Sequence, residues 1–178
     1  MRTEDFLRQV TALPGLSGNE GEVARFIAKA FRPYCDEVTI DPLNSVIGHI
    51  MGNGPKVMLC AHLDEIGLMV SDIEKDGSLR MRSVGGVDPR ILPGMRVTVY
   101  GRERLMGVIG AKAPHLLSAA DREKNYARED LYVDLGMSAQ RVRDLVQIGD
   151  CIALEGGFTK LLNDRYASKT IDDRGCVA

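Results

Sequence analysis

The sequence predicts an α/β region followed by a β-rich stretch that reads as a small barrel or sandwich, and three observations carry that prediction. Near the start, two stretches repeat apolar residues at helical spacing. After them the run KVMLCAHLDE is apolar without alternation, as a central strand covered on both faces reads. From Ile66 to about Lys160 the texture changes to short strand-like pieces divided by turn residues.

Thr3 is the expected N-cap of the first helix, with Glu4 and Asp5 in its first turn, where the helix dipole favours acids. Phe6, Leu7, Val10 and Leu13 follow at helical spacing, and Pro14-Gly15 stops the run. After the loop PGLSGNEGE, Asn19 is the expected cap of a second helix, with Glu22 in the capping-box position. Val23, Phe26, Ile27 and Ala30 form its apolar face. Strands are expected at Glu37 to Ile40 and Ser45 to Ile50, around a turn at Pro42 and Asn44.

Beyond the apolar run, the expected strands are Gly67 to Ile73, Ser78 to Val84, Met95 to Tyr100, Arg104 to Ile109, Leu131 to Leu135 and Cys151 to Glu155. Met95, Val97 and Val99 alternate with Arg96, Thr98 and Tyr100, the mark of a half-buried strand. Turns fall at Asp76-Gly77, Gly85-Gly86, Pro93-Gly94 and Gly149-Asp150. One helix is expected in this region, from about Ala139 to Val146 behind a Ser138 cap. No internal repeat and no low-complexity tract interrupts the 178 residues.

Composition bounds the function. With 44% hydrophobic and 27% charged residues the chain can build a packed core. A net charge of −2 gives no electrostatic reason to expect a nucleic-acid partner. The longest apolar stretches fall far below the roughly 20 residues of a membrane span, and the first ten residues do not read as a signal peptide. Cys35, Cys60, Cys151 and Cys176 show no C-x-x-C spacing, which disfavours a cysteine-based zinc site. Cys60 reads as a small buried hydrophobe. These features fit a reduced cytoplasm.

Two clusters point to chemistry. His62, Asp64 and Glu65 close the apolar run, at the carboxyl end of the expected strand, where α/β sheets bind ligands. A His suits zinc, cobalt or nickel, and an Asp two residues on can orient the imidazole. Taken alone, H-x-D-E is a weak signal, since a polar cluster at a strand end is more often loop chemistry than a metal site. Asp172-Asp173 in TIDDRG reads either as a carboxylate able to bridge two cations or as the acidic first turn of a helix.

Together, AHLDEIGLMV and TIDDRG resemble the M42 family of metallo-aminopeptidases (glutamyl aminopeptidase and cellulase-M-like proteins). PGLSGNE, GGVDPRILPGMRV, GVIGAKAPH, LYVDLGMSAQ and VQIGD match the same family in order, so the resemblance covers essentially the whole chain and corresponds to the amino-terminal half of a member. DPLNSVIG departs from it, since the family usually has a Gly before the Asn.

The resemblance implies a phosphorylase/hydrolase-like peptidase domain, interrupted by an insert used in assembly. On that reading the peptidase domain covers residues 1–67, the insert 68–160, and the peptidase domain resumes over 161–178. His62 becomes the first metal ligand, Asp172 the carboxylate bridging two divalent ions (zinc or cobalt), and Asp64 the catalytic-site carboxylate that orients His62. A cis Asp172–Asp173 peptide is also implied. Family members carry a Glu-Glu pair, an Asp and a late His beyond this point, and the sequence ends at Ala178. The 178-residue chain is therefore expected to be inactive by itself.

The implied partners are a peptide substrate and further copies of the chain, joined through the insert. A β-domain assembly module with vestigial peptidase motifs, and a metallohydrolase acting on glycans, are the competing readings. No pair of carboxylates is placed for glycosidase chemistry, which favours peptides. His115 reads either as an assembly or neighbouring-site residue or as an exposed loop histidine, His49 as structural, and Arg90 as a solvated turn residue. Gly18, Gly85, Gly86 and Gly94 read as turn glycines.

Overall fold

The computed structural model describes residues 2–116, 118 and 125–177. The chain divides into two compact units, one made of residues 1–65 and 156–178 and the other of residues 66–155.

In the first unit, α1 (Thr3–Ala12) and α2 (Gly21–Phe31) bury their apolar faces against each other. Phe6, Val10, Val23 and Ile27 form the core, with Leu13, Phe26, Leu63 and Val177 packed around it. Both caps differ from expectation. The N-cap of α1 is Arg2 and that of α2 is Glu20, and neither side chain caps a backbone N–H of its helix. Glu20 instead accepts the Gly18 N–H at 2.6 Å, so the loop before α2 takes the carboxylate that a cap would have supplied. Strands β1 (Glu37–Ile40) and β2 (Val46–His49) pair as an antiparallel hairpin, and His49 is exposed on it. Its turn places Asn44 at φ 66, while Asp41 Oδ1 accepts the N–H groups of Leu43 and Ser45 at 2.9 and 2.8 Å.

The expected central strand does not form. Among the described residues, Lys56 to Ala61 has no ladder partner, and Val57, Met58 and Leu59 are 82%, 83% and 93% exposed. Cys60 is exposed as well, against the buried position expected of it. An extended run becomes a strand only where a neighbour takes up its backbone donors and acceptors. Apolar sequence alone does not supply that neighbour. What does form at the end of the run is a parallel bridge between Leu16 and Glu65.

The second unit is a closed antiparallel barrel. Its strands β3 (Gly67–Ile73), β4 (Leu79–Val84), β5 (Arg96–Tyr100), β6 (Arg104–Ala111), β7 (Leu131–Asp134) and β8 (Cys151–Leu154) run in the order β3-β4-β7-β6-β5-β8. Closure removes sheet edges, so alternate residues can line one shared interior. Leu68, Val70, Leu79, Met81, Val97, Val99, Leu105, Ile109, Leu131, Val133 and Ile152 fill it. Helix α3 (Ala139–Leu145) adds Val142 and Leu145 to this core, and Ser138 caps it by accepting the Arg141 N–H at 3.4 Å. The β3–β4 turn needs glycine at position 77 for two reasons. Its φ is +96, and a Cβ there would stand 2.9 Å from the Ala139 Cα. Gly18, Gly85 and Gly94 also take positive φ, whereas Gly86 does not. No helix among the described residues is long and apolar enough to cross a membrane.

The first unit closes with a short hairpin, β9 (Thr159–Lys160) with β10 (Tyr166–Ala167), and a helical turn at Ile171–Arg174. Tyr166 donates to Glu4 at 3.1 Å and Ser168 to the Thr11 hydroxyl at 3.0 Å, which fastens this late segment to α1.

Because the barrel core is continuous within residues 66–155, that segment expressed alone is expected to unfold as one cooperative transition. Ile152→Ala should lower its stability by about 2–5 kcal/mol, as cavity formation at a fully buried aliphatic does, read by urea denaturation. At the Pro89–Ile91 turn, Asp88 accepts from the Arg90 guanidinium at 2.6–3.0 Å, and that contact holds its carboxyl down at about 2. A folded value below the ordinary 3.8 stabilises the turn above that pH, and the contribution is lost as pH falls through about 2. A carbon-detected carboxylate titration should place Asp88 there, and Asp88→Asn should remove this part of the acid-side loss of stability.

Candidate functional site

Three segments of the first unit meet at the candidate site: the loop Gly15–Glu20, the run Ala61–Glu65, and the turn Thr170–Arg174. What joins them is a buried side chain. Arg174 has 0% exposure. Its guanidinium donates to the carbonyl of Leu63, to Val10 at 3.2 Å, to Leu13 at 2.7 Å and to Gly15 at 3.3 Å. Its Nη2 also lies 3.7 Å from Glu65 Oε1. Burial pulls the guanidinium below its ordinary value while Glu65 opposes the shift, and an Arg remains charged regardless.

Glu65 completes this frame. Its carboxylate accepts the Gly15 N–H at 2.9 Å and pairs with Lys169 Nζ at 3.0 Å. Its own N–H donates to the Gly15 carbonyl at 2.8 Å. Glu65, the third member of the H-x-D-E cluster, is therefore turned into the interior and serves the frame. Gly15 sits where a Cβ would collide with the Arg174 guanidinium and stand 2.8 Å from Val23 Cγ1, so the approach of the loop requires glycine.

On the solvent side of the frame stand His62, Asp64 and Asp172. His62 Nδ1 and Asp64 Oδ1 are 3.0 Å apart, and Ser17 donates to Asp64 Oδ2. With the carboxylate accepting, Nδ1 carries the proton and Nε2 presents its lone pair. Asp64 is held below its ordinary value, first by the Ser17 hydroxyl and then by His62. His62 Nε2 faces Asp172 Oδ1 at 3.5 Å, with side-chain exposures of 55% and 98%. Asp173 turns the other way and accepts the His62 backbone N–H at 3.3 Å. Its carboxyl is lowered chiefly by the Cys176 thiol and next by that backbone donor. The Asp172–Asp173 peptide is cis, and Thr170 enters the turn at φ 60.

The His62–Asp172 separation tests whether a cation suits the pair. It is longer than a good N–H···O bond. Two ligands on a tetrahedral zinc, each about 2.0–2.1 Å from it, stand roughly 3.3 Å apart. The pair fits that spacing, and a carboxylate behind the second ring nitrogen is the usual support of a metal-binding His. Among the described residues no group of three or more His, Cys, Asp or Glu side chains converges as a fuller shell. The sequence motifs marked His62, Asp64 and Asp172 and missed Ser17, Lys169 and Arg174. A Ser in a glycine-containing loop and an Arg after two acids both read as surface residues, and only the long-range fold gives them roles. Of the other residues weighed from sequence, His115 is exposed in a short 3-10 turn of the second unit, and Arg90 pairs with Asp88.

Comparison with known proteins places the whole chain among aminopeptidases of one family. Residues 44–178 match the M42 glutamyl aminopeptidase family. The chain is 35% identical to lysyl aminopeptidase of Pyrococcus furiosus over 178 residues, covering 97% of this chain and 51% of that protein. It therefore spans about half the length of this curated relative. The structure superimposes with a TM-score of 0.92 on a TET aminopeptidase from a marine sediment archaeon of the Thaumarchaeota, at 32% identity, covering 98% of this chain and 51% of that one. It likewise resembles the TET1 peptidase of Pyrococcus horikoshii, described as assembling into a tetrahedron or a large octahedral shell, with a TM-score of 0.87, 31% identity, and coverage of 99% and 54%.

Since Arg174 leaves uncompensated acceptors and a buried carboxylate when removed, Arg174→Met should destabilise the chain by about 3–5 kcal/mol. Urea denaturation checks this, with Arg8→Met on exposed α1 as the control expected to change little.

Proposed function

The chain belongs to the M42 glutamyl aminopeptidase family, and on that premise we propose that it supplies His62, Asp64 and Asp172 to the two-metal centre of an aminopeptidase that releases amino-terminal residues from peptides. The observation that carries the reading is the approach of His62 Nε2 to Asp172 Oδ1 at 3.5 Å, with Nδ1 held from behind by Asp64. These residues fit a divalent cation, and the family resemblance implies zinc or cobalt. When bound, such ions polarise a peptide carbonyl and stabilise negative charge developing on its oxygen.

The rest is the work of the protein. His62 offers a neutral ring nitrogen, because Asp64 fixes the proton on Nδ1. Asp172 presents a carboxylate that is almost fully exposed, with both oxygens available for sharing between two cations. Asp64 accepts at both of its oxygens, which keeps the imidazole plane fixed. Arg174, Glu65 and Lys169 hold the three backbone segments in register beneath. The carboxylates beside this pair are already engaged, Asp64 with Ser17 and His62 and Asp173 with the His62 backbone N–H.

Assembly belongs to the same proposal. The barrel presents Met106 and Val108 on the outer face of β6, exposed apolar side chains suited to association between copies. That supports a homo-oligomer formed through the β-rich unit, as does the family resemblance to TET particles. Cys35, Cys60, Cys151 and Cys176 form no disulfide, in keeping with a cytoplasmic protein.

A cobalt titration followed by absorption and calorimetry tests the metal reading. The chain is expected to bind cobalt or zinc weakly, with His62→Ala and Asp172→Asn each weakening it about ten-fold or more. Unchanged affinity in both variants would sink the site assignment. The 178-residue chain alone is expected to leave aminoacyl-p-nitroanilides uncleaved. Turnover by it with two metals bound would show that its own residues include the base.

A further inference from the structure

We propose that Ser17 is a positioning residue for this centre, acting on His62 through Asp64; the inference rests on the reading of His62 as a metal ligand. The argument begins with the two oxygens of Asp64. One faces His62 Nδ1 at 3.0 Å, and the other accepts the Ser17 hydroxyl. A carboxylate held at both oxygens cannot rotate about its last bond without breaking one contact. Without the Ser17 hydroxyl it keeps His62 and its own backbone N–H, which restrain it less, and the imidazole gains freedom to turn with it.

Ser17 can act in this way because its own backbone is fixed. Leu16 bridges Glu65 in parallel fashion, and Gly15 exchanges hydrogen bonds with Glu65 in both directions at 2.8 and 2.9 Å. Asn19 N–H closes the loop on the Leu16 carbonyl at 2.7 Å. The hydroxyl is therefore carried by the same frame that carries Asp64, and the two keep a constant spacing. The loop sequence around Ser17 thus contributes a donor to the centre as well as a turn.

The consequence lies in the tautomer of His62. A free neutral imidazole exchanges its proton between both nitrogens, whereas an acceptor locked behind Nδ1 keeps Nε2 free for a cation. Removing the Ser17 hydroxyl loosens the acceptor and lets the Nε2–H form grow, at the expense of the nitrogen that faces Asp172.

The test uses the full 178-residue chain without metal. Long-range proton–nitrogen spectra at mildly alkaline pH report the tautomer of each of the three histidines, and His62→Gln identifies the signals of interest. Ser17→Ala is expected to raise the Nε2–H fraction of His62 at least two-fold and to weaken zinc binding by about ten-fold, the lower end of such losses. Ser17→Thr, which keeps a hydroxyl, should restore both, and thermal melts of all variants should coincide with the parent. If Ser17→Ala leaves tautomer and zinc affinity unchanged while Asp64→Asn alters both, Ser17 has no positioning role and the His62 reading stands. If neither substitution changes either quantity, the proposal and the His62 reading fall together. A tautomer shift accompanied by a large drop in melting temperature that Thr does not repair would assign Ser17 to folding and overturn the proposal.

Discussion

The candidate site depends on one buried guanidinium. Arg174 lies at 0% exposure and reaches four carbonyls, from Val10, Leu13, Gly15 and Leu63, together with the Glu65 carboxylate. Taking an Arg out of water costs several kcal/mol, and only near-complete satisfaction of its five donors offsets that. A lysine could not replace it, because a point charge with three donors cannot span four carbonyls in a fixed plane. The carbonyls it gathers come from the end of α1, the loop after it and the run that carries His62. Since Arg174 stands two residues after Asp172, each of those bonds also fixes where Asp172 begins. The charged side chain that looks least functional in TIDDRG sets the geometry of the two that look most so.

The two units solve different problems of closure. The barrel satisfies its backbone within itself, and its interior is lined by Val, Leu and Ile from every strand. It holds none of Ser17, His62, Asp64 or Asp172. Among the described residues, the helix–helix core of the first unit rests on Phe6, Val10, Val23 and Ile27, with a few partly buried neighbours. Hydrophobic burial of that size gives little stability alone, which explains why polar stitching between distant segments carries so much of the fold there. Glu4 with Tyr166, Thr11 with Ser168, and Glu65 with Lys169 all join the early part of the chain to the late part.

This difference also governs what was legible in the sequence. In the barrel the period-two pattern and the turn glycines are local signals, and strands such as Gly67–Ile73 and Glu37–Ile40 in the neighbouring hairpin stand where the pattern put them. The caps of α1 and α2 were misplaced by a residue or so, because Glu20 had a better use in the loop it follows. KVMLC read as a buried strand on hydrophobicity alone, yet Leu59 is 93% exposed, since pairing is a property of neighbours and not of the run. His62, Asp64 and Asp172 were legible because the motifs around them are specific in combination. Ser17, Lys169 and Arg174 were not, because each acts on a partner far away in sequence and has an ordinary surface reading at its own position.

A rigid base under exposed ligands is a physical compromise. If His62 and Asp172 were buried as deeply as Glu65, two facing acceptors would carry a desolvation cost with nothing to offset it. Left on unconstrained loops, they would lose their mutual spacing to side-chain and backbone freedom. The chain separates the two requirements. Charge pairing that tolerates burial, Arg174 with Glu65 and Lys169, goes below, where full hydrogen bonding is available. The carboxylate meant for a cation, Asp172, stays in water at 98% exposure. Asp64 joins the layers, since it lies on the segment that Glu65 anchors and carries the imidazole that Asp172 faces. The precision of the site is thus set from beneath, by residues that touch no substrate.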